Sequence, residues 1–175
     1  MNGRRNIVLC GFMGTGKTTV GRILAERLGL AFVDMDQLIE ARAAKPISRI
    51  FAEEGEPHFR ALERALAREL SARTGQVIAT GGGIVLNPDN LSDFGRHGLV
   101  VCLTATPETI LQRTARERHR PLLEQADKRQ RIVDLLERRR ALYAAIPRQI
   151  ATDTLTPAEI ADRILAAYKT PEPPW

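Results

Sequence analysis

The stretch Gly11-Phe12-Met13-Gly14-Thr15-Gly16-Lys17-Thr18 constrains this chain more than any other. It fits G-x-x-x-x-G-K-[ST], the loop that wraps a polyphosphate. That loop works only between a strand and a helix, and both flanks comply. Ile7-Val8-Leu9-Cys10 is an apolar run of the length of a buried parallel strand. Val20, Ile23, Leu24 and Leu28 recur at helical spacing, and Gly29 is placed to end that helix. Glycines let the backbone approach phosphate oxygens closely. Loop N–H groups and the helix N-terminus supply positive partial charge. In this pattern Lys17 reaches the β- and γ-phosphates, and the Thr18 hydroxyl binds Mg²⁺.

The remaining segments alternate between strand and helix. Strands are expected at Ala31–Asp34, Gln76–Ala79, Leu99–Leu103 and, weakly, Gln149–Ala151. Between them fall a helix opened by Asp36 and broken before Pro46, a short helix at Ile47–Ala52 stopped by Gly55, and a long amphipathic one from about Pro57 to Arg73. Smaller helices follow at Pro88–Phe94 and after Thr106-Pro107, then one from about Arg129 to Ala145 and a last one capped by Thr156-Pro157. Such alternation predicts an α/β fold, a five-stranded parallel sheet flanked by helices on both faces. With 43% hydrophobic but only 5% aromatic residues, its core should be aliphatic. Residues 1–168 read as one domain and 169–175 as a disordered tail. Arg116–Lys128 is charged, lacks a clean period and contains Pro121, so it reads as a mobile lid.

Charge and cysteine usage narrow the classes. The net charge is +5, and only Lys17, Lys45, Lys128 and Lys169 are lysines, so the 26 basic residues are mostly arginine. Arginine grips phosphate and carboxylate with two prongs. Aromatics are not interleaved with the basic clusters, which argues against a nucleic-acid surface. No apolar run approaches the roughly 20 residues of a membrane span. The N-terminal residues offer no signal-peptide apolar region, so the expected location is cytoplasmic. Cys10 and Cys102 fall in buried strands as small apolar fillers, away from His58, His97 and His119.

Ligands of parallel sheets sit at the carboxyl ends of the strands, and the unusual residues collect there. Asp34-Met35-Asp36 follows the second strand. Two acids beside a polyphosphate suit Mg²⁺ coordination or the acceptance of a proton from an attacking hydroxyl; Asp36 is also placed as a helix N-cap. Gly81-Gly82-Gly83 follows the third strand and permits close backbone approach. Arg113, Arg116, Arg118, His119 and Arg120 form a basic run that could supply an arginine to a transferring phosphoryl group. Arg138-Arg139-Arg140 cannot all face one way on a helix.

Together these residues resemble the shikimate kinase family, from about Asn6 to Ala167. The resemblance rests on Gly11–Thr18 with Thr19-Val20-Gly21-Arg22, Asp34-x-Asp36, Phe51, Gly55-Glu56-x-x-Phe59-Arg60-x-x-Glu63, Gly81–Gly83, Arg113, Arg120-Pro121-Leu122-Leu123 and Arg139-x-x-Leu142-Tyr143. It implies ATP-dependent phosphorylation of the 3-hydroxyl of shikimate, on the route to chorismate and aromatic amino acids. It also implies that Gly14, Thr15, Gly16, Lys17, Thr18 and Thr19 hold ATP, with Arg113 flanking adenine and Arg120 reaching the phosphates from the lid. Thr18 and, through water, Asp34 would hold Mg²⁺. Asp36, Arg60, Gly82, Gly83 and Arg139 would bind shikimate, Asp36 being the candidate base. Phe51, Phe59 and Glu63 would shape or brace the pocket. The segment Thr152–Pro157 is a compact form of the family's adenine-contacting loop. A monomer acting on a small molecule, without nucleic-acid or membrane partners, is the expected state.

Overall fold

The expected apolar runs become five parallel strands, and their register sets where a ligand can sit. A computed structural model describes residues 5–115 and 128–170. The strands are β1 (Asn6–Cys10), β2 (Ala31–Asp34), β3 (Gln76–Ala79), β4 (Gly98–Thr104) and β5 (Gln149–Ala151), in the order β2-β3-β1-β4-β5. β1 is central: Ile7 pairs with Val77 of β3 on one side and with Leu99 of β4 on the other. Connections therefore diverge on either side of β1, which opens a crevice at its carboxyl end.

Helices α1 (Lys17–Leu28), α2 (Met35–Ala43), α3 (Ile47–Ser71), α4 (Pro88–Gly95), α5 (Pro107–Thr114), α6 (Lys128–Ala144) and α7 (Pro157–Lys169) cover both faces. Side chains alternate across a strand, so β1 feeds two cores. Ile7 and Leu9 join Val20 and Leu24 of α1 and Ile160 and Ile164 of α7. Val8 and Cys10 join Met35, Leu66, Phe94, Ile110 and Ile132 from the helices of the other face. Asn6 is buried at the foot of β1. Its amide donates to Leu70 O and Arg73 O, and its side-chain oxygen accepts from Gln76 N–H, which ties the end of α3 to the start of β3.

Local boundaries follow from a few residues. Gly29 ends α1 with φ 60°, in the left-handed region. Thr156 and Glu159 form a reciprocal capping box on α7. The two helices expected around Gly55 are there: Gly55 takes φ 85° and ψ 165°, which is not helical, so α3 is two helices joined by a kink, with Pro57 following it. The start of α2 is a correction: the cap is Asp34, whose side chain accepts from Gln37 N–H, and Asp36 lies inside the first turn. A short 3₁₀ turn at Ile84–Leu86, absent from the sequence reading, follows the glycines. The proposed lid apart from Lys128, and residues 171–175 of the proposed tail, lie outside the described residues.

Candidate active site

The phosphate loop is shaped by backbone that other residues adopt poorly. Gly11, Gly14 and Gly16 have φ values of 129°, 75° and 96°. A methyl added at Gly11 would stand 2.1 Å from Leu103 O of β4, so the loop lies directly on the neighbouring strand. Thr15 is fully buried and donates to Phe12 O at 2.8 Å, closing the loop on itself. Lys17 opens α1, and its ammonium donates to Gly11 O and Phe12 O, both at 2.9 Å. The Thr18 hydroxyl donates to Asp34 Oδ2 at 2.9 Å, which joins the first turn of α1 to the cap of α2.

These groups open onto a cavity of about 580 Å³. Of the residues singled out in the sequence, Gly14 through Thr19, Asp34, Asp36, Gly82 and Arg113 line it. Arg113 reaches back over the loop: it donates to Thr152 O at 2.7 Å, to Thr152 Oγ1 at 2.9 Å and to Gly14 O at 3.4 Å. Leu155, Pro157, Ile160 and Val20 supply apolar wall beside it.

A second group packs behind the glycines rather than along this cavity. Arg60 lies against Gly83, where a methyl would stand 2.3 Å from its Nη1. Arg60 also donates to Glu63 Oε2 at 2.8 Å, and its guanidinium sits 5.1 Å from the centre of the Phe59 ring. The Phe51 and Phe59 rings are 4.9 Å apart. Arg139 is the buried member of its arginine triplet, whereas Arg138 and Arg140 are exposed, and it donates to Gly82 O at 3.2 Å. A methyl on Gly81 would lie 2.7 Å from Asp36 Oδ1 and 3.1 Å from Glu63 Oε1. Two carboxylates and two guanidiniums therefore converge on the Gly81–Gly83 backbone. Burial holds the Glu63 carboxyl above the usual glutamate range; Arg60 pulls it down and the nearby Asp36 pushes it further up.

Arg120 lies outside the described residues. Sequence reading gave no role to Thr152, which is fully buried and anchors Arg113, or to Tyr143, whose hydroxyl donates to Gly82 O at 2.7 Å. Thr152 had one signal, its place in the compact loop before Pro157. Tyr143 had its fixed spacing from Arg139.

A five-stranded parallel sheet with a lysine-bearing phosphate loop after its central strand, and paired acids after the edge strand, defines a P-loop kinase. Comparison with known proteins narrows the class. A family profile described as "Shikimate kinase" matches residues 13–169. Shikimate kinase from Thermodesulfovibrio yellowstonii is 42% identical over 94% of this chain and 95% of its own. That from Thermosynechococcus vestitus is 46% identical over 93% and 89%. The solved shikimate kinase from Acinetobacter baumannii in complex with shikimate superposes with a TM-score of 0.89 at 41% identity, over 94% of this chain and 92% of that one. The chain belongs to the shikimate kinase family.

Proposed function

We propose that the two groups of residues divide the reaction between them, the phosphate loop holding the nucleotide and the glycine ridge holding the acceptor. The reaction is ATP-dependent phosphorylation of shikimate at its 3-hydroxyl, giving shikimate 3-phosphate and ADP. Lys17 and the N–H groups of Gly14 through Thr19 bind the ATP phosphates, for which Lys17 exchanges the loop carbonyls that it now contacts. Arg113 and the wall formed by Leu155 and Pro157 border the adenine. The family resemblance assigns Arg120, which lies outside the described residues, to the phosphates.

Arg60 and Arg139 bind the shikimate carboxylate, since a forked guanidinium matches a carboxylate edge. They reach the Gly82–Gly83 backbone from two different helices. Asp36, on the cavity side of the same ridge, orients the 3-hydroxyl and takes its proton as the hydroxyl oxygen bonds to the γ-phosphorus and the bond to the ADP oxygen breaks. Glu63 holds Arg60 in place, and Phe51 and Phe59 wall the pocket behind it.

The Thr18–Asp34 pair fits Mg²⁺. A hydroxyl and a carboxylate 2.9 Å apart beside a phosphate loop are hard oxygen donors of the kind that this ion takes, with phosphate oxygens and water completing its shell. When bound, the ion neutralises charge on the β- and γ-phosphates. Thr18 would hold it directly and Asp34 through water, while Asp34 keeps its capping bond to α2.

The observation that carries this reading is the ridge itself: Gly82 lines the nucleotide cavity, facing the phosphate loop across the space of about one methyl group, and its carbonyl accepts from Arg139. Titration calorimetry tests it. Shikimate should bind the native protein, and Arg60→Ala and Arg139→Ala should each weaken that binding at least tenfold while ATP binding stays within about twofold. Unchanged shikimate affinity in both variants would remove the arginines from the acceptor site. The protein is proposed to act as a monomer in the cytoplasm. Among the described residues no helix is long and apolar enough to cross a membrane.

A further inference from the structure

Tyr143 lies on α6 one turn beyond Arg139, and the roles proposed above do not use it. Residues four apart share a face of a helix, and here both reach one atom. The Tyr143 hydroxyl donates to Gly82 O at 2.7 Å and Arg139 Nη1 donates to the same oxygen at 3.2 Å. A peptide carbonyl accepts two hydrogen bonds, so α6 fills both places. The other side of Gly82 faces the phosphate loop with room for a methyl group and little more: one added there would lie 3.5 Å from Met13 N and 3.8 Å from Gly11 O. This peptide thus lies between the nucleotide loop and the helix that carries an acceptor arginine, and α6 holds it by its carbonyl.

We infer that Tyr143 is a positioning residue for the acceptor: by holding the Gly82 carbonyl it fixes the height of the glycine ridge and the direction of the Arg139 fork. Its ring is buried, with 7% exposure, and it does not line the nucleotide cavity. Burial pushes its hydroxyl up to about 12, against the pull of Arg139, so the phenol remains a donor at any pH at which the enzyme would be assayed. With the hydroxyl removed, Arg139 becomes the one described donor to Gly82 O. The shorter of the two bonds is lost, and Arg139 is drawn towards the ridge instead of towards a carboxylate. The effect should therefore appear in acceptor binding and not in nucleotide binding. This inference rests on the acceptor site proposed above.

Tyr143→Phe keeps the ring and removes only the hydroxyl. Steady-state kinetics with both substrates varied should give a KM for shikimate raised about tenfold, the factor expected for one lost hydrogen bond to a positioned group. The kcat and the KM for ATP should stay within about twofold, and the pH profile from 6 to 9 should keep its shape. Arg139→Lys alone should raise the same KM, and adding Tyr143→Phe to it should make matters little worse, because the tyrosine acts through that arginine. A shikimate KM unchanged in Tyr143→Phe overturns the inference, as does a penalty that multiplies in full with that of Arg139→Lys. An equal loss in all three kinetic parameters would show a general structural role and also overturn it. If the native protein fails to turn over shikimate, the acceptor reading falls and this inference with it. Turnover by the native protein with an indifferent Tyr143→Phe sinks this inference alone.

Discussion

Removing Arg60 should destabilise the protein in a way that depends on pH, because it strands Glu63. The Glu63 side chain is 3% exposed; its Oε2 accepts from Arg60 at 2.8 Å, and its Oε1 has no hydrogen-bond partner among the described residues. Breaking a buried ion pair from one side costs about 3–5 kcal/mol, since the remaining charge keeps its desolvation penalty. The Arg60 side chain is 22% exposed, so water screens part of the interaction and the lower end, about 3 kcal/mol, is expected at pH 8. In a chain of this length each 1 kcal/mol moves Tm by roughly 2–4 °C, so Arg60→Ala should unfold about 6–12 °C lower. The sign of the pH effect follows from Glu63. Burial already holds its folded-state carboxyl above the unfolded range, and Arg60 opposes that rise, so the variant should titrate higher still. A group raised in this way contributes most where it is protonated and loses that contribution as pH rises through its folded value. The gap between variant and native protein should accordingly shrink from pH 8 towards pH 5. The double variant Arg60→Ala/Glu63→Gln carries no stranded charge and should recover at least half of the loss at pH 8. Thermal unfolding followed by circular dichroism across that pH range measures all three proteins. A gap that does not change with pH, or a double variant no more stable than the single one, would refute the reasoning.

Further outcomes follow from the site. Lys17→Ala should lower turnover by roughly 10²–10³-fold or more, while the unfolding midpoint falls by only a few degrees, the cost of its two bonds to Gly11 O and Phe12 O; steady-state assay with a parallel melt checks both. Asp36→Asn should cost about 10²-fold in kcat. Asp34→Asn should instead raise the Mg²⁺ concentration needed for half-maximal rate, with little change in stability because Asn caps a helix as well as Asp; rescue of Asp36→Asn by excess Mg²⁺ would reverse the two assignments. Gly83→Ala should raise the KM for shikimate and spare that for ATP. The backbone there, φ −95° and ψ 4°, tolerates a side chain, but the new methyl would meet Arg60 Nη1 at 2.3 Å.

Features set by neighbours in the chain were legible before any coordinates. The strand Gln149–Ala151, the Thr156-Pro157 cap and the left-handed turn at Gly29 are local, and the structure keeps each as read. The break at Gly55 was legible too, since a left-handed φ of 85° suits glycine, and the structure keeps it as the kink that divides α3. What sequence did not carry is partnership between distant residues. No local pattern says that β3 inserts between β1 and β2. The Arg113–Thr152 bond spans 39 positions and the Tyr143–Gly82 bond 61, and each depends on how helices seat on the sheet. The arginine triplet shows the boundary well. Helical geometry requires that its members face different ways, and the spacing to Leu142-Tyr143 singles out Arg139; that it is buried and bonds Gly82 O depends on how α6 docks on the glycine ridge. The cap of α2 was misplaced for a similar reason. Asp34 and Asp36 have the same chemistry, and the end of β2, fixed by its register with Ala79, decides between them.

The central claim is that this fold transfers the γ-phosphoryl group of ATP to an acceptor held by Arg60 and Arg139. It is tested most directly by ADP release from the purified native protein with Mg²⁺-ATP, in the presence and absence of shikimate, with gluconate and a nucleoside monophosphate as alternative acceptors. ADP release should be saturable with shikimate, with one shikimate 3-phosphate formed per ADP, and should stay at a slow background with the other acceptors or with none. ADP release that is indifferent to shikimate, or that is driven equally well by gluconate or by the nucleoside monophosphate, would contradict the claim.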